Sequence, residues 1–159
     1  MSWLYVILWG FVATVILTTL MSASQGMGIT RMNLPYMLGS MFTPKREKAK
    51  LVGFALHMLI GWAFSFLYAI AFRVLGGPTV WKGVIFGFVH GAFVLVVAMS
   101  MLPAIHPRMA DEQRGPTITR RLEPPGFLAL HYGYQTPLST MVAHLVFGAI
   151  LGLTLQLSW

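Results

Sequence analysis

Four stretches of this chain are apolar almost from end to end, at about residues 3–21, 51–72, 81–102 and 138–157, and the charged residues collect between them. Crossing about 30 Å of hydrocarbon takes about 20 helical residues. Each stretch meets that requirement, and a span in lipid must satisfy its own backbone, which a helix does. The pattern therefore predicts an all-α membrane protein of four transmembrane helices, with residues 1–159 as a single integral membrane domain. The second span is expected to start before its apolar part, with Thr43 as N-cap and Pro44 in the first turn. The first span is read as a retained helix: Ser22-Ala23-Ser24 has cleavage-site character, but no lysine or arginine precedes the apolar run.

Charge adds an orientation. The connection between spans one and two carries Arg31, Lys45, Arg46, Lys48 and Lys50, and the one between spans three and four carries Arg108, Arg114, Arg120 and Arg121. Only Arg73 and Lys82 flank the short turn between spans two and three. The positive-inside rule then places the long loops in the cytoplasm and both termini outside. The net charge of +7 reads as topology and contact with membrane lipid. Nucleic acid is a poor partner for charges split between two juxtamembrane loops.

A weak internal repeat divides the chain into halves of about 1–75 and 76–159. Gly10-Phe11-Val12 recurs as Gly87-Phe88-Val89, and Leu20-Met21-Ser22 has a counterpart in Ala98-Met99-Ser100. In the loops, Ile29-Thr30-Arg31 with Pro35 is echoed by Ile118-Thr119-Arg120 with Pro124 at the same spacing. Each half reads as a helical hairpin, and two such halves in parallel orientation imply a pseudo-two-fold axis along the membrane normal.

Small residues mark where the helices should meet, since association in lipid depends on close packing. Span two has Gly53, His57, Gly61, Ser65 and Ala69 at four-residue spacing; span three has Gly83, Gly87 and Gly91. Span four has Thr140, His144, Gly148 and Gly152, and span one Gly10, Thr14 and Thr18. Trp3, Trp9, Trp81 and Trp159 suit an aromatic belt at the outer ends. Between spans one and two, residues 33–42 suit a short interfacial helix with Asn33 as N-cap and Pro35 in its first turn. It reads as a connector resting on the membrane, or as a lid over a cavity between the halves.

The run from Gly10 through Phe42, with Met27-Gly28 and 32–40 (Met-Asn-Leu-Pro-Tyr-Met-Leu-Gly-Ser), followed by His57 to Gly61, resembles a family of small, uncharacterised four-span bacterial membrane proteins. The resemblance implies a bacterial inner (plasma) membrane location and the four-helix topology. It implies no activity.

The candidate chemistry is confined to histidine. Hydrophobic residues make up 57% of the chain and charged ones 9%, so ionisable groups inside the spans stand out. Cysteine is absent, which removes disulfides, thiolate metal sites and iron–sulfur clusters. His57 and His144 each precede a glycine by four residues, Gly61 and Gly148. Counted from the span starts at about 1.5 Å per residue, both lie about 9 Å below the cytoplasmic boundary. An intramembrane histidine is a candidate functional site. The plain reading is an interhelical hydrogen bond copied by duplication. The sharper one makes His57 and His144 axial ligands of a b-type haem, with Gly61 and Gly148 giving the macrocycle room and Lys50 and Arg121 meeting its propionates. A metal site of His57, His90 and His144 lacks a membrane carboxylate. His106 and His131 are assigned to loops without a role.

No paired carboxylate, nucleophile triad or phosphate loop is present, so a catalytic role is disfavoured. The sequence points to a non-catalytic membrane protein: an accessory or scaffolding subunit associating with other membrane subunits or with itself, or a small-ligand binder. A haem- or quinone-binding redox subunit is the first alternative. A transporter or channel for a neutral solute is the second, the spans having no acidic residue for proton coupling.

Overall fold

The structure is a computed structural model, and it describes residues 2–111, 113 and 115–159. Arg114, one of the loop cations above, lies outside the described residues. The elements are α1 (Trp3–Gly26), α2 (Leu34–Gly39), α3 (Arg46–Val74), α4 (Val80–Phe93), a π-helical turn (Val94–Ala98), α5 (Met99–Ile105) and α6 (Thr136–Thr154). Short 3-10 segments cover Phe127–Tyr132 and Leu155–Ser158. Among the described residues four helices are long and apolar enough to cross a membrane, Trp3–Gly26, Arg46–Val74, Val80–Ile105 and Thr136–Ser158. The protein is thus an all-helical, multi-pass membrane protein.

The spans start and stop for local reasons. Asn33 caps α2, its side chain accepting the Tyr36 N–H at 2.9 Å, with proline in the first turn as expected. The start of α3 differs from expectation: Lys45, not Thr43, is the N-cap. Thr43 Oγ1 instead accepts the Lys45 N–H at 3.3 Å, a turn that leaves Pro44 outside the helix. At the far end of α3, Lys82 Nζ donates to the carbonyls of Leu75 at 2.7 Å and Gly77 at 2.9 Å. That cation satisfies acceptors beyond the helix end, where positive charge is favoured.

Packing follows the small-residue seams. A Cβ added to Gly83 would strike the Gly148 carbonyl, and one on Gly148 would strike the Gly83 carbonyl, so α4 and α6 touch backbone to backbone. Gly39 and Gly53 seat α2 on α3 in the same way. Gly61 meets the Thr14 side chain and Gly10 meets Ser65, which joins α1 to α3. Trp62 adds a bond from its indole N–H to the Ile7 carbonyl at 2.8 Å. The outer faces carry exposed Leu4, Ile7, Leu59, Leu67, Ile85 and Leu153, as lipid-facing positions should.

One pairing is different. α1 packs on α3 and α6, and α4 on α6, but α3 and α4 stand apart at backbone level and meet through large rings. Phe64 stacks on His90 at 3.7 Å between centroids, and Phe86 lies against Tyr68 and Phe72 at 5.6 and 5.1 Å.

The loops form a bonded cap. Arg31 pairs with Glu123 at 3.1 Å and also donates to the His131 carbonyl. Thr30 and Thr136 share a hydroxyl bond of 2.7 Å. The segment after Pro124 forms no regular helix like α2: Leu128 and Ala129 both have positive φ, 53° and 59°.

Candidate functional site

His57, His90 and His144 are buried and line one cavity of about 160 Å³. Its walls include Thr14, Leu17 and Met21 of α1, Ile60, Gly61 and Phe64 of α3, Phe93 and Val94 of the third span, and Thr140 and Phe147 of α6. Met37 and Leu38 of α2 close it at the loop end, together with Met99 and Leu102. The short helix therefore contributes to the cavity wall. Ile60 and Phe93, on the two helices whose backbones do not pack, are 40% and 47% exposed. The lining thus reaches the outer surface at these two side chains.

Hydrogen bonds define how the imidazoles are presented. His144 Nδ1 lies 2.8 Å from the carbonyl of Thr140. A carbonyl only accepts, so Nδ1 carries the proton and Nε2 keeps a lone pair. His57 Nδ1 lies 2.8 Å from Thr18 Oγ1, and that hydroxyl lies 2.7 Å from the Thr14 carbonyl. Both contacts are bonds only when Thr18 donates to the carbonyl and accepts from His57 Nδ1–H. His57 thereby has the same tautomer. No protein group among the described residues bonds Nε2 of either ring.

His90 is held between them. It stacks on Phe64, meets His144 edge to face at 4.6 Å between centroids, and has Tyr68 Oη 3.4 Å from its Nδ1. The repeat pairs His57 with His144, but His90 is the ring that touches His144.

Thr140 supplies a further polar atom. Among span threonines, Thr14, Thr18, Thr19 and Thr154 each send their hydroxyl to the carbonyl four residues earlier. Thr140 does not: its Oγ1 is buried without a hydrogen-bond partner. Leaving such a hydroxyl unpaired in an apolar setting costs about 1–3 kcal/mol.

The glycines expected to flank a cofactor divide. Gly61 lines the cavity, although its open side is filled by Thr14. Gly148 does not line it, because the Gly83 backbone occupies that face. Lys50 and Arg121 bond Glu47 at 3.0 Å and the Ile118 carbonyl at 2.8 Å. The cavity is about the size of one that takes up benzene, so a haem macrocycle does not fit it. Among the described residues no three histidines or carboxylates form a group able to hold a metal ion, His57, His90 and His144 included.

His106, expected to be a loop residue without a role, fastens α2 to the end of the third span. Its ring is 1% exposed and Nε2 lies 3.0 Å from the Met37 carbonyl, so Nε2 carries the proton. Ser40 Oγ is 3.3 Å from the same nitrogen, and Nδ1 accepts the Arg108 N–H at 3.1 Å. Its place directly after that span was the available signal.

No family model matches the chain, and no curated protein or solved structure matches it either.

Proposed function

We propose that the protein is a non-catalytic membrane protein that binds a small, lipid-soluble ligand inside its helix bundle. The single observation behind this reading is the convergence of His57, His90 and His144, rings from three helices, on one otherwise apolar cavity. Ligand sites have this character: mostly apolar walls with a few placed polar groups. His57 spends Nδ1 on Thr18 of a neighbouring helix and His144 spends Nδ1 on its own helix, but among the described residues no protein group bonds Nε2 of either ring, as packing alone would not require.

The basic loops support a cytoplasmic position for α2 and the cavity roof, with both termini outside. The sequence resemblance supports a bacterial inner membrane. Duplication supports a common origin for His57 and His144. A pseudo-two-fold axis exchanging spans one with three and two with four would pack span two on span three as span one packs on span four, and the sparse α3–α4 packing departs from that symmetry.

The test is native mass measurement of protein extracted in mild detergent. The reading predicts a co-purifying small molecule that is lost in His144→Ala and retained in a lipid-face variant such as Leu153→Ala. A wild-type protein that carries none, and takes up none when incubated with a total lipid extract, contradicts it.

Haem ligation is a second reading, favoured by one observation. Metal-bound histidines commonly donate their other ring nitrogen to a carbonyl or hydroxyl, as His144 and His57 do. It requires α3 and α4 to part. A Soret band in the purified protein, lost in His57→Ala, would establish it, and a colourless folded preparation would dispose of it.

A further inference from the structure

Two of the three imidazoles lining the cavity have a sign. With Nδ1 committed to a carbonyl, His144 offers Nε2 only as an acceptor, and His57 does the same through Thr18. A ligand matching these two nitrogens must bring O–H or N–H donors. A plain hydrocarbon chain would leave both unpartnered, and a charged headgroup would find no charged side chain in the lining.

Shape narrows the class further. The space fits one aromatic ring. Phe64 and Phe147 and the thioethers of Met21, Met37 and Met99 line it, and both kinds of side chain make favourable contacts with aromatic rings. Ile60 and Phe93, lining residues with exposed side chains, mark the side on which a long tail would stay in lipid while the ring enters. Resting on the ligand-binding reading above, we propose that the cavity binds the reduced, dihydroxy form of a membrane quinone in preference to the oxidised form. A quinol brings two O–H donors to the His144 and His57 lone pairs. The quinone brings carbonyl lone pairs, which repel them.

The experiment measures equilibrium binding of decylhydroquinone and of decylbenzoquinone to the full chain in lipid nanodiscs, under anaerobic conditions. The expected result is quinol binding about tenfold tighter than quinone, the size of effect that one well-made bond supplies. The preference should vanish in His144→Ala and shrink in Thr18→Val, which keeps the side chain's shape, and so guards against misfolding as the cause, but removes the hydroxyl that fixes the His57 tautomer. Equal affinity, or tighter quinone binding, overturns the proposal while leaving a ligand-binding protein. Binding of neither form also overturns it, and the native mass measurement above then decides separately whether another ligand occupies the cavity.

Discussion

His144 meets His90 edge to face, with ring centroids 4.6 Å apart, where the Gly87 face leaves no room for a side chain against the His144 carbonyl. The close backbone approach of α4 to α6 is what brings a midspan ring of the third helix onto a histidine of the fourth. Glycines set the helix spacing, helix spacing sets which rings touch, and the helix pair lacking such glycines encloses the cavity.

Substituting Gly83 or Gly148 by alanine tests that order of causes. Either Cβ would meet backbone rather than a flexible side chain, and overpacking of this kind costs about 1–3 kcal/mol. Thermal unfolding in detergent should fall for both variants. Gly26→Ala is the control, since a Cβ there meets nothing within 4 Å, and it should leave the transition unchanged or raise it slightly.

Thr140→Val should stabilise the ligand-free protein. The hydroxyl is buried and unpaired, so removing it while keeping the shape relieves about 1 kcal/mol. Unfolding of ligand-free protein should shift to higher temperature. A lowered transition would mean that the hydroxyl has a partner.

Trp62→Phe removes one bond, from the indole N–H to the Ile7 carbonyl, and leaves an aromatic ring against Phe11. The expected loss is about 1 kcal/mol, with cavity binding unaffected because Trp62 is not part of the lining.

His106 makes the cavity roof sensitive to acid. Burial, foremost, holds its pKa below the ordinary 6.5; the bond to the Met37 carbonyl raises it, and nearby Arg108 lowers it again. The unfolded chain takes up this proton near pH 6.5 and the folded chain only at lower pH. Stability from the neutral ring is therefore full above about pH 6.5 and declines as the pH falls toward the folded value. A proton on Nδ1 would also oppose the Arg108 N–H that it now accepts. Hydrogen exchange at the Met37 and Ser40 amides, corrected for the intrinsic rate, should speed up below about pH 6.5. His106→Gln should abolish that pH dependence.

Much of the architecture was legible because its determinants are local. Apolar run length located four spans, Asn33 and Pro35 located α2, and four-residue spacing picked out the buried faces of Gly53, Ser65, Gly83 and Gly152. The site was half legible. Depth and periodicity singled out His57 and His144, but which glycine faces a neighbour and which faces a cavity depends on helix pairing, so Gly148 was misplaced as room for a macrocycle. The repeat pairs His144 with His57 and says nothing of His90, whose partners Phe64 and His144 come from other helices. His106 looked like a loop residue, since nothing local to it announces the Met37 carbonyl 69 positions away. Thr140 reads like any other span threonine until its missing bond is seen.

The central claim is that His144 and His57 hold Nε2 as a bare acceptor toward the cavity. Nitrogen-15 NMR of histidine-labelled protein in lipid reads the protonation of each ring nitrogen directly, with assignment by single-histidine variants. The account predicts protonated Nδ1 and unprotonated Nε2 at His144 and His57, the reverse at His106, and a change at His144 Nε2 when decylhydroquinone is added. A proton on His144 Nε2 in the free protein would contradict it.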